Sequence, residues 1–239
     1  VPEDVLNPFG ISASYDRTCA LLKTGVRCWG GEGHAQNEFD RINKTISSPQ
    51  RVWSAGWGGT CVQTASGIDC WGYNGSGRFD IPADVDNPLD MAMGDEFACA
   101  ITQQNTVRCW GYGGSVVTSV PPNLTGITKL AAGAAHACVW TSAGVRCWGE
   151  NWAGQTNVPF NLVNPRAIAI GEDFSCALTD SGVRCWGAYG LSFNYVQSLR
   201  NPQEISIRAN QLCVLGGDGI SCWHRWTQQT FGMNGFEGA

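Results

Sequence analysis

The sequence predicts an all-β, six-bladed β-propeller, and three observations carry that prediction. Twelve cysteines fall in six evenly recurring pairs. The second cysteine of every pair is followed by tryptophan. Among 239 residues there are 31 Gly and 11 Trp, while charged residues make up only 15%. Such a composition is poor in helix formers and rich in residues that suit turns and strands. The pairs are Cys19 and Cys28, Cys61 and Cys70, Cys99 and Cys109, Cys138 and Cys147, Cys176 and Cys185, Cys213 and Cys222. Their first members recur after 42, 38, 39, 38 and 37 residues. A period of this length is the signature of a repeat architecture.

Each unit reads as the same run of elements. An Asn-Pro turn opens a short alternating strand, as in NPLDMAMG from Asn87 and NPRAIAIG from Asn164. A glycine follows in four units (Gly56, Gly94, Gly133, Gly171), then two or three variable residues. Next comes a hairpin such as CALTDSGVRC, whose turn falls near Asp180 and Ser181, with Gly182 free to take a positive φ. After Cys-Trp, a polar loop such as GENWAGQ leads to a fourth short strand such as TNVPF. Four antiparallel strands, radially repeated, make a propeller blade. The repeats run approximately 7–47, 48–86, 87–125, 126–163, 164–200 and 201–239, forming a single domain. The opening VPEDVLNP shares its frame with IPADVDNP at 81–88 and VPFNLVNP at 158–165. Residues 1–6 are therefore expected to supply the outer strand of the last blade, which would remove an exposed edge.

The hairpin explains the cysteines. It sets the two members of a pair opposite each other on neighbouring strands, within disulfide range. One intrablade disulfide per repeat is expected, each restricting the unfolded chain by ~2–3 kcal/mol. Zinc ligands favour two to four intervening residues rather than eight or nine. The motif tryptophans Trp29, Trp71, Trp110, Trp148, Trp186 and Trp223 then project to the other side of the blade, into interblade packing. Arg27, Arg108, Arg146 and Arg184 stand two positions before a tryptophan, where a guanidinium can stack on indole.

Disulfides persist in oxidising compartments, so the expected location is secreted, outside the cell. Three N-x-S/T sequons at Asn43, Asn74 and Asn123 suit that route as glycosylation candidates. The chain opens at Val1 without methionine, which reads as a processed or trimmed form. The net charge is -5 and the Lys and Arg residues are scattered, which argues against nucleic acid as a partner. No apolar run approaches the roughly 18 residues of a membrane span, so no membrane insertion is expected.

The hairpin GVRCWG, the preceding AAG or AIG and the following GENWAGQTNVP resemble the regulator-of-chromosome-condensation repeat. The resemblance covers essentially the whole chain. It implies a propeller, usually of seven blades in that family, whereas six cysteine pairs are present here. Two secreted branches look closest: a bacterial β-lactamase inhibitor propeller and the ectodomain of crinkly-type plant receptor kinases. By resemblance, the inhibitors bind their targets with the face that carries the variable loops.

Strand order places the variable triplets and the loops after Cys-Trp on one face. The candidate ligand-binding residues there are Tyr15, Asp16, Arg17, Trp57, Tyr73, Asp95, Glu96, Tyr112, His136, Trp152, Glu172, Asp173 and Trp226. Phe97 and Phe174 share a repeat position and read as packed plugs rather than anchors. Aromatic and acidic residues on a rigid scaffold suit a protein hot spot. The expected function is thus a non-catalytic module that binds an extracellular protein. A lectin stacking glycans on these aromatics is the alternative, followed by an extracellular structural protein or a hydrolase. His34, His136 and His224 lie in separate loops without metal-ligand spacing. There is no G-x-S-x-G and no phosphate-cradling loop. No catalytic residue, metal or cofactor is therefore assigned, and a carboxylate pair brought together by folding is the one catalytic route left open.

Overall fold

The computed structural model describes residues 1–13, 17–30, 46, 48–112, 114–187, 199, 201–208, 210–217, 219–224 and 230–233. These form six antiparallel sheets in sequence order. Blade 1 holds β1 (Gly10–Ala13), β2 (Arg17–Leu22) and β3 (Gly25–Gly30). Blade 2 holds β4 (Arg51–Ala55), β5 (Gly59–Thr64) and β6 (Gly67–Trp71). Blade 3 holds β7 (Asp90–Met93), β8 (Phe97–Ile101) and β9 (Val107–Gly111), followed by a short helix α1 (Gly114–Thr118). Blade 4 holds β10 (Lys129–Ala132), β11 (His136–Thr141) and β12 (Gly144–Gly149). Blade 5 holds β13 (Pro165–Ile170), β14 (Phe174–Thr179) and β15 (Gly182–Gly187). Blade 6 holds β16 (Glu204–Arg208), β17 (Gln211–Gly216), β18 (Gly219–His224) and β19 (Thr230–Met233).

The hairpins behave as their sequences dictate. In the β14–β15 hairpin Gly182 takes φ 117°, and Cys176 stands directly opposite Cys185. All six cysteine pairs are cross-strand neighbours and all six are bonded. The β8–β9 hairpin is one residue longer, and there Asn105 supplies the left-handed position at φ 58°. Asparagine tolerates that region better than other side chains do.

Two expectations about the edges are corrected. Among the described residues, blade 6 has four strands and the other five have three. In blades 2 and 4 the segments expected as fourth strands satisfy their backbone locally instead. Gly77 N–H donates to Asn74 O and Asp80 N–H to Gly77 O, both at 3.1 Å, and Gly154 and Asn157 repeat this pattern. Pro82 and Pro159 then remove a donor each, so no ladder propagates. Residues 1–6 likewise form a turn, not a strand, and the fourth strand of blade 6 is its own β19. Asp4 pairs with Arg27 of blade 1 at 2.9 Å, as Asp84 pairs with Arg108 of blade 3 at 3.5 Å. The N-terminal segment thus sits on blade 1 in the way its internal cousin sits on blade 3.

The core is a series of interblade seams. Leu21 of blade 1 clusters with Val62 of blade 2, and Met93 of blade 3 with Cys61 of blade 2. Phe97 clusters with Leu130, Val145 with Ile168, and Phe174 with Leu212, completing five seams. No cluster among the described residues joins blade 6 to blade 1. Ile11 occupies the repeat position of Met91, Leu130 and Ile168, yet it is 66% exposed while those three are buried. Phe9 and Leu6 beside it are exposed too. Trp71, Trp110, Trp148, Trp186 and Trp223 pack in the seams as expected, and three anchor them: Trp110, Trp148 and Trp186 donate Nε1–H to Arg78 O, Val117 O and Gln155 O of the preceding blade's loop at 2.8–2.9 Å. Among the described residues no motif arginine stacks on indole: Arg27 and Arg108 turn to the acids above, and Arg184 donates to Asn161 Oδ1 at 3.1 Å.

Candidate protein-binding face

In blades 3 and 4 the loop that follows Cys-Trp is fastened to the variable triplet of its own blade. Glu150 N–H donates to Ala135 O and Tyr112 N–H to Glu96 O, both at 2.9 Å. The glycine that closes the motif makes this approach feasible. Gly149 has φ 107°, and a Cβ there would lie 2.7 Å from Ala135 O. One face therefore presents two sets of loops on a disulfide-bonded base.

Three large aromatics stand out from it on adjacent blades. Tyr73, Tyr112 and Trp152 are 74%, 69% and 72% exposed. The loops of Tyr73 and Trp152 are ordered from within. Asn151 Oδ1 accepts from Thr156 N–H at 3.1 Å while its Nδ2 donates to Asn157 Oδ1 at 2.9 Å. Asn74 does the same work in blade 2, accepting from Phe79 N–H and donating to Asp80, both at 2.8 Å. Beneath Tyr73 the buried Arg78 guanidinium donates to Gly56 O at 2.8 Å, to Tyr73 O at 3.2 Å, and to Asp95 O. Burial lowers the Arg78 pKa from its ordinary value, and the charges of Asp95 and Glu96 oppose that shift.

The triplets divide into exposed and buried positions. Glu96 is exposed, and Asp95 and Glu172 are half-buried. The last triplet position is a plug in most blades: Phe97, His136, Phe174 and Arg17 are all buried. In blade 2 that position is Gly59, and the ring of Phe79 with Arg78 fills the space, coming within 2.6 Å and 3.0 Å of a Cβ placed there. His136 and Arg17 are thus interior groups rather than surface anchors, and Asp173 is also buried. A buried histidine at 0% exposure has its pKa lowered to about 4 by desolvation. Its Nε2–H donates to Ser175 Oγ at 2.9 Å, and that hydroxyl donates to Gln155 O at 3.0 Å. Tyr15, Asp16 and Trp226 lie outside the described residues, as does the side chain of Trp57.

The six inner strands surround a central cavity of about 130 Å³, to which each blade contributes: Ala13, Ser54, Met93, Ala132, Ile170 and Ile207. Asp95, Glu172 and Arg208 also line it. Glu172 Oε2 accepts from Asn210 Nδ2 at 3.0 Å, joining blade 5 to blade 6. A larger hollow of about 640 Å³ lies on the opposite face of blade 2, with Asp86 its one ionisable lining residue among those described. Among the described residues no three His, Cys, Asp or Glu side chains gather as metal ligands, and no helix is long and apolar enough to cross a membrane.

Sequence reasoning found the exposed aromatics and missed Arg78. The available signal was positional: Arg78 and Gln155 both follow the glycine of the same loop, so a polar group recurs where a loop must be held from inside.

Residues 89–115 and 166–188 match the family model of the regulator of chromosome condensation (RCC1) repeat. No curated protein matches the chain by sequence. Among solved structures, the ectodomain of the Physcomitrella patens receptor kinase CR4 superposes with a TM-score of 0.72 at 22% identity, over 92% of this chain and 62% of that one. This chain therefore spans less than two thirds of that ectodomain. The CRINKLY WD40 ectodomain of the Arabidopsis thaliana receptor kinase ACR4 gives 0.69 at 21% identity, over 95% and 84%. Yeast RCC1 (Prp20), in its complex with Kap60, gives 0.69 at 15% identity, over 93% and 71%. At these identities the likeness is one of fold.

Proposed function

We propose that this RCC1-like, disulfide-bonded repeat propeller is a secreted, non-catalytic module that recognises a protein partner through the face carrying Tyr73, Tyr112 and Trp152. One observation carries the reading: three adjacent blades each hold a large aromatic out in solvent, Tyr73 and Trp152 on loops ordered by internal hydrogen bonds and Tyr112 tied by its N–H to Glu96 O. Exposed apolar groups on a preorganised surface lose little conformational freedom on binding, and aromatic anchors dominate binding energy. Glu96 beside Tyr112 and Glu150 beside Trp152 add an acidic rim, which would set orientation and association rate more than affinity. The yeast relative in complex with Kap60 supports reading this shape as a protein binder. Six disulfides support the secreted location.

The test is affinity capture from the native source with the wild type and a Tyr73→Ser, Tyr112→Ser, Trp152→Ser triple variant. The partner should be retained by the wild type and lost at least tenfold by the variant, with an unchanged melting temperature. Equal capture by both would overturn the reading. Elution of the captured material by free sugar would assign the face to a glycan instead.

A further inference from the structure

Of the two sequons on described residues, we propose that Asn123 is an N-glycan acceptor and Asn74 is not. The inference rests on the secretory routing proposed above, and it comes from what each asparagine does in the fold.

Asn74 is explained without a glycan. Its amide is used at both ends, accepting from Phe79 N–H and donating Nδ2–H to Asp80, both at 2.8 Å. Asn151 performs the same two tasks in blade 4, and Asn151 belongs to no sequon. The loop needs asparagine here whatever follows it in the chain.

Asn123 is the reverse case. It occupies the repeat position of Asp4, Asp84 and Asn161. Those three engage the motif arginine of the following blade: Asp4 with Arg27, Asp84 with Arg108, Asn161 with Arg184. Asn123 does not engage Arg146, its cognate, and neither has a polar side-chain partner among the described residues. The backbone explains the difference. Pro121 and Pro122 precede Asn123, which sits at φ 60° and is exposed. Thr125 is also exposed; its carbonyl accepts from Ser142 Oγ at 3.4 Å, while its hydroxyl is unengaged among the described residues. The Ser142 contact fixes this segment beside the β11–β12 hairpin turn, at the face opposite the three aromatics. A glycan there leaves the proposed binding face open.

The chemistry uses a lipid-pyrophosphate-linked oligosaccharide as donor. The Asn123 Nδ2 attacks the anomeric carbon; the new C–N bond forms as the C–O bond to the pyrophosphate breaks. One Nδ2 proton leaves to a base, and the lipid pyrophosphate departs with the electron pair. An amide free of other bonds meets that requirement, and the sequon hydroxyl must be accessible as well.

The experiment is secretion of the chain behind a leader peptide from human cells, with site-resolved peptide mapping after enzymatic deglycosylation in heavy-oxygen water. Asn123 should be labelled in most molecules and Asn74 in few. Asn123→Asp should abolish the label while folding normally, because the site is exposed and aspartate, like asparagine, is enriched in the left-handed region. An unlabelled Asn123, or equal labelling of Asn74, overturns the proposal. Mapping the protein from its native source separates the two premises: a bare native Asn123 beside a labelled leader-directed one removes the secreted reading and keeps the acceptor.

Discussion

His136 of blade 4 and Ser175 of blade 5 are joined by a 2.9 Å hydrogen bond at zero solvent exposure of the histidine, and the imidazole Nδ1 is buried without a partner. Ser175 donates its own proton to Gln155 O, so it must accept from the histidine. That fixes the neutral Nε2–H tautomer and leaves Nδ1 buried with no protein acceptor or donor among the described residues.

This arrangement predicts acid sensitivity. The pKa of His136 is lowered to about 4 in the fold, whereas an unfolded histidine titrates near 6.5. Between those values the unfolded chain binds a proton that the native state refuses, so stability falls as pH drops through that window. The loss between pH 7 and 4.5 should be roughly 2–3 kcal/mol. His136→Phe, matching Phe97 and Phe174 at the same repeat position, should fold and lose less of its stability over that range. Denaturant unfolding at the two pH values measures the difference; parallel losses would show that the imidazole does not drive it.

The bare face of blade 1 predicts a strong asymmetry between equivalent residues. Ile168→Ala should cost about 2–4 kcal/mol, as truncation in a packed core does. Ile11→Ala should cost well under about 1 kcal/mol, since exposed sites contribute little. Melting temperatures of the two variants decide it, and equal losses would show that blade 6 covers Ile11 in solution.

The same pair of residues shows why the sequence was readable only up to a point. Ile11 and Ile168 sit in matching alternating strands after matching Asn-Pro turns, so a repeat alignment assigns both to the core. Blade number, hairpin register and all six disulfides follow from such local patterns. Whether the last blade meets the first depends on the summed rotation of six units, which no single unit encodes. The fourth strands of blades 2 and 4 failed for a related reason: TNVPF alternates like a strand, but the turn hydrogen bonds of Gly154 and Asn157 capture the backbone first. At the face, Tyr73 and Tyr112 were legible because each directly follows Cys-Trp-Gly, and Trp152 because it breaks the repeat. His136 and Arg17 break it too, yet both are buried, since the plug position accepts any side chain that fills it.

Blade 6 should be the first to lose its disulfide. In every other pair the first cysteine is fully buried, whereas Cys213 and Cys222 are both partly exposed. Thiol–disulfide exchange requires access to sulfur. Limited reduction followed by alkylation and peptide mapping should label this pair ahead of the other five. Earlier labelling of Cys99 and Cys109, in the most enclosed hairpin of blade 3, would contradict the exposure of blade 6.

Arg78 links stability to the proposed binding face. Its guanidinium satisfies the carbonyls of Gly56, Tyr73 and Asp95, which belong to the inner strand end of blade 2, the aromatic loop and the triplet of blade 3. Its own carbonyl accepts from Trp110 Nε1. Gln155 fills the equivalent place in blade 4 with a shorter side chain, and its carbonyl accepts from Trp186 in the same way. Arg78→Gln therefore keeps a tolerated residue type and the tryptophan contact but cannot reach three carbonyls at once. Each buried acceptor left unpaired costs about 1–3 kcal/mol, reduced where water can enter beside the exposed Tyr73 loop. A net destabilisation of about 2–4 kcal/mol is expected, larger than for Gln155→Ala in blade 4. The Tyr73 loop should loosen with it, seen as faster amide exchange at Tyr73 and Asn74 while the β8–β9 hairpin stays protected. Unchanged exchange in that loop would mean that the Asn74 contacts alone hold it.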